Sequence, residues 1–388
     1  MAPRHARVKI TDIRVVLHAR PAGSLAVFGT ADTLPMGVLR VLTDEGIEGN
    51  AFLSLPGPGP EAVGAEIVTF LRPLLLGEDP LDIGRLWRRL AGMSHFAGPI
   101  ALGSVDIALW DIAGKTAGLP IHRLLGTHRT SVPVYLSSGH HASSGDYADE
   151  ALYWKEQGWR AYKLHPARGP WVQRERLPVS ADIEACTAVR EATGPDMALM
   201  LDSSWDYDHS EALRVGRAIE ELDYVWYEDP LPPHDLHGYL ELRRHLRIPL
   251  MATEITLGGL STLPQWLAPQ RATDFLRGDV VIKGGITGLM KIAHLAEAFN
   301  MNCEVHDGYN ALGNLANLHV VMAIANCDFF EVLPFNRSGD HSLEHLSYGL
   351  ARPLEIDGAG LLHAPTGAGL GIEIDWELID SARSGEIA

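Results

Sequence analysis

The stretch MALMLDSSWDYDHSEALRVGRAIEELDYVWYEDP, residues 197–230, decides the fold. A short apolar run ends at Asp202, a helical pattern follows in SEALRVGRAIEEL, and a second apolar run, YVWYE, ends at Glu228. Strand, helix and strand in one such span imply two parallel strands joined by a crossover helix. From residue 131 onward the pattern repeats. The strand candidates are VPVYLSS, AYKLH, MALMLD, YVWYE, PLMATE, DVVIK, MNCEVH and DFFEVL, separated by helical patterns such as SADIEACTAVREAT, GYLELRRHL and GLMKIAHLAEAF. Eight strands alternating with helices predict a closed α/β barrel.

The first 128 residues have a different texture. ARVKITDIRVVLHAR and MGVLRVLTDEGIEGNAFLS read as strands, the second bending at Asp44-Glu45-Gly46. Between them, residues 21–35 (PAGSLAVFGTADTLP) read as a loop long enough to act as an active-site flap. Helical periodicity follows in EAVGAEIVTFLRPLLL, DIGRLWRRLAGM and GSVDIALWDIAGKTAG, the last stopping at Gly118 with Pro120 beyond. Strands first and helices after predict an α+β domain over 1–128. The barrel is expected over 129–350, and a tail over 351–388 returns to strand and turn chemistry. Its GAGLG reads as turn glycines, because no βαβ unit contains it.

With 388 residues, 46 % hydrophobic and 21 % charged, the chain reads as a globular protein with a sizeable core. A net charge of −17 argues against a nucleic-acid surface. It leaves room for an anionic small molecule, since a metal or a few local cations reverse the field inside a pocket. Three widely spaced cysteines, Cys186, Cys303 and Cys327, read as reduced thiols in a cytoplasmic protein without a zinc cage. The N-terminal MAPRHARVKI lacks an apolar signal core, and no run of about 18 apolar residues marks a membrane span.

Each later strand candidate carries an ionisable residue at or near an end: Asp202, Glu228, Glu254, Asp279, His306 and Glu331, spaced by twenty-five to twenty-seven residues. In a barrel such residues converge on one mouth, where active sites sit. Three consecutive carboxylates, Asp202, Glu228 and Glu254, demand a cation, and all-oxygen ligation suits Mg²⁺. Asp279 and His306, on adjacent strands, form a carboxylate–imidazole pair suited to general-base work near neutral pH. In RAYKLHP, residues 160–166, Lys163 and His165 share one face of the second strand. Taken alone, that pair reads as the solvated face of an edge strand; beside the ring, it joins the mouth.

These residues resemble the enolase superfamily, and within it the mandelate racemase-like subgroup. The matches are LMLDSS, WYEDPLPP, PLMATE, DVVIKGGITG, His306 and Glu331, together with SVDIALWDIAGKTAGLPIHRLLG near the end of the first domain. The resemblance implies a (β/α)7β TIM-like barrel capped by an α+β domain that the C-terminal tail rejoins. It implies one Mg²⁺ on Asp202, Glu228 and Glu254, and abstraction of the proton α to a substrate carboxylate. The Asp279–His306 pair would be base or acid on one face, and a protonated Glu331 would hydrogen-bond the substrate carboxylate. The flap at 21–35 would help set specificity, and a symmetric homo-oligomer is expected by analogy.

Many subgroup members carry Lys-x-Lys at the second strand, the second lysine working on the opposite face. Here the motif is Lys163-x-His165. An imidazole with an ordinary pKa of ~6.5 serves as a neutral base without a large shift. A nearby Lys163 ammonium would lower it further, leaving His165 an acid/base or a positioning group. Ser204 stands where the family often has Asn. Arg168, Arg174 and Arg176 read as a solvated loop, with reach to a second substrate anion as the rival reading. The leading expectation is a Mg²⁺-dependent acid-sugar dehydratase yielding a 2-keto-3-deoxy acid. The alternatives are a racemase, epimerase or cycloisomerase, and a ligand-binding barrel without chemistry. A metal hydrolase is set aside, because VYLSSGHHASS carries adjacent histidines rather than His-x-His.

Overall fold

The structure is a computed structural model that describes residues 8–21, 33–54, 59–166, 177–256, 258–333 and 341–388. Three antiparallel strands open the chain: β1 (Ile10–Pro21), β2 (Thr33–Thr43) and β3 (Glu48–Leu53). The turn between β2 and β3 falls at the predicted Asp44–Gly46, with Gly46 at φ 75°. The helix Pro99–Ala117 is apolar on nearly all sides because it is covered on nearly all sides. It starts with proline in its first turn and stops at Gly118 in a left-handed conformation (φ 64°), as the sequence indicates. A Cβ on Gly49 of β3 would stand 2.0 Å from the Ala108 carbonyl oxygen, and one on Gly103 would stand 2.7 Å from the Val280 and Val281 carbonyls. Glycine at these two points lets the helix press against the cap sheet on one side and the barrel on the other.

Eight parallel strands form the barrel: β4 (Ser131–Ser137), β5 (Ala161–Leu164), β6 (Ala198–Asp202), β7 (Trp226–Glu228), β8 (Leu250–Ala252), β9 (Phe275–Gly278), β10 (Asn302–Val305) and β11 (Phe330–Val332). Their order is β10-β9-β8-β7-β6-β5-β4-β11, and seven helical segments fill the connections, giving the (β/α)7β pattern. Between β10 and β11 a side chain stands in for a ladder. The Glu304 carboxylate accepts from the backbone N–H groups of Asp328 (3.0 Å) and Phe329 (3.4 Å), and burial pushes that carboxyl up to about 7. Inside the barrel, Tyr135, Met200, Trp226 and Met251 pack with Phe275 and Phe329 into an apolar floor. Tyr135 and Trp226 meet edge-on at 5.7 Å.

One strand assignment changes. DVVIK is not a strand: β9 lies just upstream, and Asp279–Lys283 form the turn into the helix Gly285–Ala298. The Asp279 carboxylate accepts from the N–H groups of Val281 (2.6 Å) and Ile282 (2.9 Å), a local turn that competes with extended backbone despite the β-branched residues. The helices Ser144–Glu156 and Pro264–Leu267 fill connections for which the sequence reading names no helical pattern. The first is anchored by a capping box of Ser143 and Asp146.

The tail adds β12 (Leu361–His363) to β4 and β13 (Arg383–Ile387) to β1, so it touches barrel and cap alike. Gly369 and Gly371 of GAGLG sit at φ 67° and 90°, as turn glycines do. The flap residues 22–32 and the segment carrying Arg168, Arg174 and Arg176 lie outside the described residues. No described helix is long and apolar enough to cross a membrane.

One histidine ties these parts together. His319, fully buried on the helix Ala311–Ala323, accepts the His122 N–H at Nδ1 (3.1 Å) and donates from Nε2 to the Leu370 carbonyl (3.0 Å). Burial, with His122 beside it, pushes its pKa down to about 3. A histidine depressed in the folded state stabilises fully above its unfolded pKa of about 6.5, and that stability is lost as pH falls toward 3. Between pH 7 and 5, wild type should lose about 2 kcal/mol more stability than His319→Gln. Urea midpoints at the two pH values measure the difference; equal slopes would remove His319 from the acid response.

Candidate active site at the barrel mouth

Asp202 and Glu228 end β6 and β7, and Glu254 lies two residues past β8. Parallel register sets Asp202 directly beside Glu228. One carboxylate oxygen from each of the three lies within 4.8 Å of the others, and all three residues are buried. Buried carboxylates require countercharge. Below them Lys163 Nζ reaches Asp202 (3.2 Å), Glu228 (3.0 Å) and Glu331 (2.6 Å). Arg277 Nε stands 2.5 Å from Glu228 and 3.8 Å from Glu254, and its Nη2 stands 2.6 Å from Glu331. Two cations thus face four carboxylates. Burial raises the Glu228 carboxyl above its ordinary value, although Arg277 and Lys163 oppose it. Asp202 is held well below the usual range, His165 and Lys163 outweighing its burial. An all-oxygen donor set with an excess of negative charge fits a hard divalent cation.

His306 follows β10. Its Nδ1 lies 3.3 Å from Asp279, and its Nε2 lies 3.5 Å from Glu254 and 3.9 Å from Glu331. Burial would lower its pKa, but Glu254, Glu331 and Asp279 outweigh it and push His306 up to about 10. Positive charge placed at the triad acts in the opposite direction. On the other side, His165 Nε2 contacts Ser204 Oγ (2.7 Å) and Asp202 (3.3 Å). Its backbone is pinned by Ser138 Oγ and the Tyr147 hydroxyl, and its ring stacks on His140 at 5.0 Å. All eight residues singled out from the sequence therefore meet at one mouth.

Two details of the sequence reading are corrected. Glu331 does not match a protonated donor: Arg277 and Lys163 bracket its oxygens and hold it far below the carboxylate range despite its burial. Lys163, expected to act as a cation beside His165, points its Nζ at Asp202, Glu228 and Glu331. Burial and Arg277 lower its pKa, yet Glu228 and Glu331 hold it well above an ordinary lysine.

Several residues here carry no sequence signal of their own. Arg277 is fully buried, and its Nη1 donates to Tyr135 Oη at 3.1 Å; an arginine inside FLRGD reads as surface until the barrel closes around it. Asp229 is pushed well up by burial and by Glu254. Ser204, Trp205, Asp229, Thr253 and Tyr309, all just past strand ends, hold positive φ values of 51°, 54°, 40°, 88° and 60°. Such strain in non-glycine residues concentrates at functional sites. At Ser204 it accompanies the contact to His165.

Comparison with known proteins agrees with this geometry. Residues 8–126 match the family described as Mandelate racemase / muconate lactonizing enzyme, N-terminal domain, and residues 146–378 match Enolase C-terminal domain-like. L-talarate/galactarate dehydratase of Salmonella typhimurium is 32 % identical over 276 residues, 69 % of this chain and 67 % of that protein. D-galactarolactone cycloisomerase of Agrobacterium fabrum is 30 % identical over 339 residues, 84 % of this chain and 86 % of that protein. The crystal structure of D-glucarate dehydratase from Agrobacterium tumefaciens complexed with magnesium superposes with a TM-score of 0.86 at 34 % identity, covering 98 % of this chain and all of that one. Matched over residues 8–126 and 146–378, this chain belongs to the mandelate racemase/muconate lactonizing enzyme family of the enolase superfamily.

Proposed function

We propose that the protein is a Mg²⁺-dependent lyase that dehydrates an acid sugar to a 2-keto-3-deoxy acid. The observation that carries this reading is the opposition of His306–Asp279 and His165 across the Asp202–Glu228–Glu254 triad. One Mg²⁺ per chain, held by those three carboxylates, would supply Lewis acidity toward the substrate carboxylate. His306 Nε2 takes the α proton, while Asp279 at Nδ1 fixes the ring and its tautomer. The same imidazolium then gives a proton to the β-hydroxyl, which leaves as water. The resulting enol tautomerises to the 2-keto acid, so substrate and product differ by one water. Lys163 and Arg277 hold Glu331 ionised beneath the reacting carboxylate, making Glu331 a positioning group for the cationic layer.

A racemase, epimerase or cycloisomerase is the second reading. His165 favours it, because Ser204 and Asp202 hold an imidazole on the opposite side. The relative named as a cycloisomerase supports keeping it. Cytoplasmic location and a symmetric homo-oligomer belong to the same proposal.

Proton NMR in D₂O with Mg²⁺, over aldonic and aldaric acids and their lactones, should show loss of the α-proton signal and a new methylene at the neighbouring carbon. Chelation should abolish both. Loss at the α carbon without elimination would select the second reading. No α-proton loss on any acid would sink both readings. His306→Asn should lower dehydration at least about 10³-fold, the scale of a lost general acid/base. His165→Asn should spare α-proton exchange in a one-base dehydratase and abolish it from one stereoisomer in a two-base isomerase. Glu254→Gln should weaken Mg²⁺ binding about tenfold or more, read as loss of the thermal shift that Mg²⁺ produces.

A further inference from the structure

A second polar cluster lies in the cap, apart from the triad. His18 and Arg20 stand two residues apart on one face of β1, and that face is covered by the segment around His345 and Tyr348. Both are buried, with relative exposures of 2 % and 7 %. Among the described residues neither His18 ring nitrogen has a hydrogen-bond partner, and neither does the Tyr348 hydroxyl. The Arg20 guanidinium lies 4.6 Å over the Tyr348 ring, and its Nη1 meets His345 Nδ1 at 3.1 Å. Among the described residues no carboxylate comes within ion-pair distance of it. Glu344, the nearest acid in electrostatic influence, is exposed. A buried guanidinium without an acid among the described residues, beside an imidazole and a phenol that make no hydrogen bond among them, is an arrangement that folding alone leaves unfavourable.

The cluster is at the correct end of the cap to serve the mouth. Arg20 pairs with Leu34 of β2, His18 with Met36, and Gly37 with Leu53 at the end of β3. One residue on, Ser54 receives a hydrogen bond from Asn310 Nδ2 at 3.0 Å. Tyr309 beside it places its ring 4.9 Å from His306. Thus Leu17 of β1 lies two strand spacings, about 10 Å, from the end of β3 at Leu53, and His18 and Arg20 follow one and three residues further along β1.

We propose that Arg20, His18 and Tyr348 form an anion subsite that takes a carboxylate or a similar oxyanion. Arg20 supplies charge and a planar pair of donors, and the Tyr348 hydroxyl and one His18 N–H complete the donor set. Burial keeps His18 neutral, with its pKa near 4, so it offers one donor and adds no charge of its own. The anion is either the distal carboxylate of a dicarboxylic acid sugar, which rests on the function proposed above, or a free oxyanion bound between cap and tail.

The test is calorimetric titration of the Mg²⁺-loaded His306→Asn protein, which does not turn substrate over, with galactarate, galactonate and inorganic phosphate. Each titration is repeated with Arg20→Met added. If the distal carboxylate is the ligand, galactarate should bind at least about tenfold more tightly than galactonate, and Arg20→Met should erase that difference. If a free oxyanion is the ligand, phosphate should bind and lose at least about tenfold in affinity with Arg20→Met. That second result stands even if neither sugar acid binds, in which case the proposed function fails and the subsite does not. Arg20→Lys should restore part of either effect. If Arg20→Met does not fold, Tyr348→Phe removes one hydroxyl at constant packing and should weaken the same ligand severalfold. Equal affinities for all three ligands with and without these substitutions would overturn the subsite and leave the cluster a packing seam.

Discussion

Charge compensation inside the barrel governs this structure. Asp202, Glu228, Glu254 and Glu331 project into a space sealed below by Tyr135, Trp226, Phe275 and Phe329. Water cannot solvate them there, so Lys163 and Arg277 must. Each cation bridges two strands or more: Lys163 from β5 to β6, β7 and β11, and Arg277 from β9 to β7 and β11. Removing one partner would strand a buried charge, a far larger cost than losing a surface pair. The lattice therefore fixes where the triad oxygens stand before any ligand arrives. It also leaves negative charge in excess, which is the electrostatic condition for a divalent cation.

The cap is seated with similar rigidity. Asp106, buried on the helix Pro99–Ala117, accepts the Thr287 N–H at 2.8 Å, and Trp110 donates to the Thr287 hydroxyl at 2.9 Å. These contacts grip the first turn of Gly285–Ala298, the helix that the Asp279 turn leads into. The cap sheet is held at its far edge by the tail through β13. A barrel supplies chemistry from strand ends, and a cap supplies shape from strand and loop ends above them. Here the two are joined by buried polar contacts and glycine close approaches, with little freedom to slide.

Much of this is legible in the chain. The alternation of apolar runs with 3.6-residue patterns gives the barrel, and near-constant spacing puts Asp202, Glu228, Glu254, Asp279, His306 and Glu331 at one mouth. Backbone periodicity is local, so a sequence carries it openly. The DVVIK segment marks the limit. Its composition favours a strand, yet the Asp279 side chain bonds the next backbone N–H groups and turns the chain one strand-length early. A side-chain hydrogen bond of that kind has no periodic signature.

The state of each group was decided by tertiary structure alone. Nothing in FLRGD marks Arg277 as the partner of Glu228 and Glu331, because those three residues meet only when the barrel closes. That meeting holds the Glu331 carboxyl far below its ordinary range, where family resemblance suggested a protonated donor. Likewise HAR in β1 reads as an ordinary strand end, and only the segment around Tyr348 buries His18 and Arg20, leaving the His18 ring without a hydrogen-bond partner among the described residues. The sequence determined which side chains reach the mouth, since strand ends and spacing are properties of a local pattern. The folded structure decided their charge and partners, since electrostatic energy depends on distance and burial between residues far apart in the chain.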